Sequence, residues 1–221
     1  MISVAIDGPA GAGKSSVAKK LAKRIGFIYV DTGALYRTVG LYFLRKGINT
    51  ELKCDVEEIL KEITVEIKFV DDSQHVFLNG EDVSEEIRTP EASMMASAVS
   101  AVPCVRAFLL EMQRKLAREN NVLMDGRDIG TVVLPNAQVK IFLTASAKVR
   151  AQRRYDELTA KGMTVDYNEV LADIEKRDYN DSHRDIAPLK PAEDSVTVDT
   201  SELNVEQVIE TLKKIVEEKT K

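Results

Sequence analysis

No apolar run in the sequence approaches the ~20 residues that a membrane-spanning helix needs. Met1 enters the first apolar stretch without a signal-peptide pattern, so a cytoplasmic protein is expected. There are only two cysteines, Cys54 and Cys104, and they lack paired metal-ligand spacing. Both are expected to be free thiols in a reducing compartment. Positive charge is not in surplus: 31 Lys and Arg against 36 Asp and Glu leave a net −5, which argues against a standing DNA or RNA polymer partner. Low-complexity tracts and internal repeats are absent, as is the Asn/Thr-Lys-x-Asp element with which GTP-controlled switches read guanine. What is present is ordinary for a globular protein: 221 residues, 44% hydrophobic and 30% charged, enough for one or two domains with a buried core.

Against that plain background the stretch Gly8-Pro9-Ala10-Gly11-Ala12-Gly13-Lys14-Ser15 stands out, with Ser16 after it. The apolar run Ile2 to Asp7 before it reads as a buried strand. Val17, Leu21 and Ile25 after it mark one face of a helix that Gly26 stops. Strand, glycine-rich turn and helix are the context in which G-x-x-x-x-G-K-[ST] binds nucleotide phosphates. The glycines let successive N–H groups turn inward, and the helix N-terminus adds unpaired donors and partial positive charge. Lys14 is placed to reach the outer phosphates, and the Ser15 hydroxyl to ligate Mg²⁺.

Further along, Phe27 to Val30 reads as a second buried strand, and Ala34 to Lys46 as a helix stopped by Gly47. So short a strand–helix–strand spacing implies a parallel sheet, whose ligands gather at the carboxyl ends of its strands. Asp31, Thr32 and Arg37 are therefore expected near the loop, although a plain helix N-cap at Thr32 explains Asp31-Thr32-Gly33 equally well. Val122 to Asp125, Val139 to Leu143 and Val196 to Val198 complete five strands, and a final helix runs from Val205 to about Glu218. Asp125, ending an apolar strand beside a phosphate loop, is a candidate to hold Mg²⁺ through water, as is Asp31. The competing reading of Arg127 and Asp128 is a turn stapled by that pair.

Between residues 64 and 88 the pattern changes to antiparallel: Val65, Ile67 and Phe69 alternate with polar residues, Asp71-Asp72-Ser73 can turn, and Asn79-Gly80 is a hairpin signal. This insertion reads equally as a substrate-side subdomain or as a decorative excursion. Pro90 to Ser100 reads as a helix, and Pro103 opens another with Val105, Phe108, Leu109, Met112 and Leu116 at helical spacing. Arg106 in its first turn reads as a snorkelling surface residue. Arg150, Arg153 and Arg154 share one face of a predicted helix, and Arg177 and Arg184 follow on and beyond a second. Beside a phosphate loop, these read as a lid whose arginines neutralise a transferring phosphoryl group and shut out water, rather than as a solvated face.

Taken together, these stretches resemble the bacterial-type cytidylate (CMP) kinases nearly end to end. The resemblance is carried by Ile6 to Lys14, Asp31 to Arg37, Glu81 to Thr89, Asp125 to Val133 and the arginine segment that ends in Ala187-Pro188-Leu189. It implies an α/β P-loop nucleoside-monophosphate kinase fold: a five-stranded parallel sheet flanked by helices, with a small antiparallel insertion and a helical lid. The core would comprise residues 1–33, 120–147 and 189–221, the monophosphate-binding region 34–119, and the lid about 148–188. The implied reaction is ATP + CMP (or dCMP) → ADP + CDP (or dCDP) with Mg²⁺, by a monomer. Residue by residue, the resemblance assigns Arg37, Arg127 and Arg184 to the acceptor's α-phosphate, and Ser97, Arg106 and Asp128 to cytosine, which displaces the surface reading of Arg106. Arg177 and Asp181 go to the ribose, with Thr32 at phosphate or sugar. Lys14, Arg150, Arg153, Arg154 and Arg184 would act on the transferring group. Two departures leave this intact: Thr32 stands where Ser is common, and Ser15-Ser16 where Gly-Thr is familiar, Ser15 keeping the hydroxyl for Mg²⁺. A kinase for another small acceptor, UMP or shikimate-like, is the alternative within this class.

Overall fold

The computed structural model describes residues 1–70 and 73–221. Five apolar runs form one parallel sheet: β1 (Ser3–Asp7), β2 (Ile28–Asp31), β6 (Val122–Gly126), β7 (Val139–Thr144) and β8 (Val196–Asp199), in the order β2-β6-β1-β7-β8. Both faces are covered, so the inner strands are mainly apolar rather than alternating, with Lys140 and the terminal Asp7 and Asp125 as buried exceptions. Helices α1 (Lys14–Ile25) and α8 (Val205–Lys219) bury Val17, Leu21, Ile209 and Leu212 against Leu123, Ile141 and Leu143. On the other face Ala5, Val30 and Met124 pack with Ile129, Val133 and Ala117, the last from α5 (Pro103–Glu119). The register sets Asp31 beside Asp125 and Asp7 beside Gly126. Three neighbouring strands thus end in or at carboxylates along one edge.

Between β2 and β6 the chain builds a second mass. Helices α2 (Thr32–Arg45), α3 (Val56–Leu60) and α4 (Pro90–Ser100) surround an antiparallel sheet of β3 (Val65–Val70), β4 (Ser73–Leu78) and β5 (Glu81–Asp82). Leu35, Val39 and Phe43 of α2 share a core with Val65, Val76, Leu78, Met95 and Leu109. The hairpin expected at Asn79-Gly80 is a two-residue turn with both φ angles positive, 51° and 85°, closing Leu78 on Glu81. The turn expected at Asp71-Asp72 lies outside the described residues. Helices α6 (Ala147–Ala160) and α7 (Tyr167–His183) form a hairpin with a small core of Ala151, Val170 and Ile174.

One helix start differs from expectation. Thr32 is the first residue of α2 and not its cap; Asp31 caps, its side chain accepting from Ala34 N–H. The Thr32 hydroxyl is turned inward and donates to the Asp125 carbonyl at 2.7 Å. The Asp31 carboxylate thus takes the free N–H of the first turn, while Thr32 ties the start of α2 to β6.

Candidate active site

The loop after β1 is shaped by two positions only glycine fits well. At Gly8 (φ 148°) an added Cβ would lie 1.9 Å from the Leu143 carbonyl oxygen, so the backbone rests directly on β7. Gly13 (φ 81°) ends the loop as the N-cap of α1 without a side-chain cap, leaving the first-turn N–H groups for a ligand. Residues Ala10 to Ser16 line the cleft. Gly8 and Pro9 do not; their carbonyls accept from Lys14 Nζ at 2.7 and 2.8 Å. Burial, together with the charge of Arg127, pushes the Lys14 ammonium below its usual range.

Next to Lys14, the Ser15 hydroxyl donates to Asp125 Oδ2 at 2.8 Å, and Tyr29 donates to Oδ1 at 2.9 Å. Burial and the adjacent Asp31 raise the Asp125 pKa. Of the two carboxylates put forward for Mg²⁺, Asp125 is the one that touches Ser15. Asp31 is engaged in capping α2 and in its pair with Arg37, 2.9 Å apart. Among the described residues no cluster of three His, Cys, Asp or Glu side chains could hold a metal alone. A hydroxyl and one carboxylate are a hard, oxygen-only pair that suits Mg²⁺ held otherwise by water and nucleotide phosphates.

Sequence reasoning missed Tyr29 and Asp7. Asp7 closes β1 and accepts from the backbone N–H groups of Ile129 and Gly130, both at 2.7 Å, which pins the π-helical turn Ile129–Val133 behind Asp128. Burial pushes its pKa up to about 6 against those two bonds. A lone Asp before a glycine loop reads as part of the loop motif, so neither residue gave a signal of its own.

The far wall of the cleft is made of arginines, each held by a carboxylate or carbonyl. Arg37 sits on Asp31, and Arg127 on Asp181 at 2.8 Å. Arg106 is only 8% exposed, pairs with Asp128 and also donates to the Ser100 carbonyl at 3.1 Å. The surface reading of Arg106 is therefore wrong, because the helix face it occupies is turned into the cleft. Arg184 approaches the other oxygen of Asp128 at 3.6 Å and donates through Nε to the Ala187 carbonyl. Burial raises the Asp128 pKa while Arg106 and Arg184 hold it down. The turn staple between Arg127 and Asp128 does not form: these neighbours reach opposite ways, to α7 and to α5. Arg177 donates to the Ser93 carbonyl of α4, and Ser97 lies on the same wall.

The three arginines of α6 part company. Arg150, expected at the transferring group, is buried and does not line the cleft; Asp178 and the Ala145 and Ala10 carbonyls take its guanidinium. Arg153 donates to the carbonyl and hydroxyl of Thr200 beside the loop. Arg154, paired with Glu157 at 2.8 Å, is half-exposed on the cleft rim. The whole space, from loop to far wall, is a single cleft of about 860 Å³, large enough for two nucleotides end to end.

A family model for cytidylate kinases matches residues 4–218. The chain belongs to the cytidylate kinase family. A cytidylate kinase of Caldicellulosiruptor bescii is 53% identical over 209 residues, covering 95% of this chain and 92% of the relative. One from Caldanaerobacter subterraneus subsp. tengcongensis is 51% identical over 220 residues, with 100% and 96% covered. In three dimensions the chain is similar to a shikimate kinase from Bacteroides thetaiotaomicron, with a TM-score of 0.50 at 12% identity and 98% of both chains covered, which speaks to the fold alone. As a cytidylate kinase family member, the protein is an ATP-dependent nucleoside-monophosphate kinase.

Proposed function

We propose that this cytidylate kinase moves the γ-phosphoryl group of ATP to CMP or dCMP with the following division of labour. The amides of residues 10–16 and Lys14 hold the ATP phosphates, while Arg153, on Thr200, flanks the donor and Arg154 swings over the transferring group. Arg37, Arg127 and Arg184 receive the acceptor phosphate, Arg177 and Asp181 its sugar, with Thr32 beside them, and Ser97, Arg106 and Asp128 its base. Mg²⁺ bound near Ser15 and Asp125 would supply charge neutralisation. The acceptor's phosphate oxygen is already anionic, so it attacks the γ-phosphorus without a general base as the bond to ADP breaks; alignment and charge compensation are the whole task. The helical pair α6–α7 is assigned as the lid, 34–119 as the monophosphate-binding region and the parallel sheet with its helices as the core. The enzyme is assigned as a cytoplasmic monomer; no single described helix is long and apolar enough to cross a membrane.

The observation that carries this reading is a buried guanidinium donor, Arg37 Nε, on a residue lining the cleft and without a hydrogen-bond partner among the described residues, joined by Arg184 Nη2, which faces Asp128 only at 3.6 Å, beyond hydrogen-bond reach. Buried donors of that kind await an acceptor-rich ligand such as a phosphate. Choice of base rests on Asp128. A carboxylate accepts from the N4 amino group of cytosine but meets the O4 of uracil as acceptor against acceptor, and Arg106 donates where cytosine has acceptors. Sites of this type reject the wrong partner by up to ~10⁴–10⁵. The test is kcat/KM for CMP and UMP in the parent and in Asp128→Ala. The CMP-to-UMP ratio is expected to collapse through loss of CMP activity; an equal loss on both substrates would remove Asp128 from base selection.

A further inference from the structure

The strand β2 is the outer strand of the parallel sheet, so one side of its backbone has no strand beside it. At Asp31, its last residue, a single side chain fills that place. Gln74 Oε1 accepts from Asp31 N–H at 2.8 Å, and Gln74 Nε2 donates to the Asp31 carbonyl at 3.2 Å. The carboxamide carries both bonds that a neighbouring strand would make. Gln74 belongs to β4 of the antiparallel insertion, 43 residues further on.

What it holds matters to the acceptor. Asp31 Oδ1 caps α2 at Ala34 N–H, and Oδ2 carries Arg37. The other polar anchors of the insertion to α2, Arg45 to Glu81 and Glu86, are remote from this point, at the opposite end of α2, as are the bonds of Tyr42 and Lys46 to Glu62 just before it. At 1.5 Å per residue, a helix of 14 residues sets those anchors about 20 Å away. The insertion therefore grips α2 at both ends, and at the cleft end the described polar grip is Gln74.

We propose that Gln74 is a positioning residue for the acceptor nucleotide, through which the insertion fixes Asp31 and thereby aims the Arg37 guanidinium. This rests on the acceptor-phosphate role given to Arg37 above. It answers the question that the sequence left even: the small sheet belongs to substrate placement and is not decoration.

Steady-state kinetics of the full chain test it. In Gln74→Ala the KM for CMP should rise about fivefold to tenfold, as expected for losing two hydrogen bonds that act indirectly, with kcat and the KM for ATP within twofold of the parent. In an Arg37→Ala background the same substitution should add less than twofold to the CMP KM, because the guanidinium it aims is gone. Glu81→Gln, which loosens the remote anchor, should leave the CMP KM unchanged. Should Gln74→Ala fold poorly, Gln74→Met keeps length and shape without polar atoms and should show the same KM rise. An unmoved CMP KM, a rise shared by ATP, a rise that persists without Arg37, or an equal rise in Glu81→Gln would each overturn the proposal. A parent inactive on CMP would instead bring down the acceptor assignment, and this inference with it; activity on CMP with an unmoved KM refutes Gln74 alone.

Discussion

Lys14 is buried with its ammonium resting on two carbonyls of its own loop, so it is pre-aimed rather than searching from solvent. Lys14→Ala should lower kcat by ~10²–10³ while the protein stays folded, since it removes charge stabilisation of the transition state. Turnover above about a third of the parent's would sink the phosphate-loop role. Asp7 makes a different kind of prediction. Its folded pKa is raised to about 6, so the folded chain holds that proton more tightly than the unfolded chain. Ionising Asp7 therefore subtracts stability as pH rises from about 4 to about 6, by up to about 3 kcal/mol, with no further change above. Urea unfolding at steps across that window should show a steeper fall in the parent than in Asp7→Asn. Parallel profiles would mean that Asp7 titrates as it does unfolded. Single residues were legible in the sequence where a local motif carries them, as with Lys14 and Ser15. The competing reading of Arg127 and Asp128 as each other's partners could not be dismissed from the sequence, because their observed partners, Asp181 and Arg106, lie 54 and 22 positions away.

At the scale of elements, helix α6 shows what periodicity does and does not reveal. Spacing placed three arginines on one face, yet that face spans from the buried hairpin base to the rim of the cleft. The three should accordingly fail in three ways. Arg150→Ala strips Asp178 of its partner and is expected to lower stability by about 3 kcal/mol, the lower end for a broken buried pair since Asp178 is partly exposed. Arg153→Ala should chiefly raise the KM for ATP. Arg154→Ala, losing only a rim pair, should stay within about 0.5 kcal/mol in stability while kcat drops at least tenfold. Thermal or denaturant unfolding measured beside kcat separates them; an inverted order, with Arg154 stabilising and Arg150 catalytic, would contradict the placement. Strands and helices themselves were easier to read, because Gly26, Gly47, Pro90, Pro103 and the Asn79-Gly80 turn punctuate the apolar runs. The insertion's outline was legible in the same way, but a lone glutamine on a half-exposed strand has no sequence signature, so its grip on Asp31 was not.

For the molecule as a whole, the five-stranded sheet could be foreseen because each strand is an apolar run too short for a helix. The strand order could not, since it depends on which runs find each other across the chain. The central strand β1 lies between β6 and β7, and β6 also separates it from β2. That arrangement has a consequence in time. On a ribosome, β1 and β2 emerge early, yet no two adjacent strands of the main sheet exist until β6 has followed at Val122–Gly126. At ~5–20 residues per second this wait lasts about ten seconds. Meanwhile α2, the insertion, α4 and α5 have all emerged, and they share a core drawn from residues 34–109 without help from the main sheet. The half that receives the acceptor is thus able to assemble while the phosphate loop, first to be made, still hangs on an unpaired strand. The nucleotide half can close only once β7 and β8 arrive.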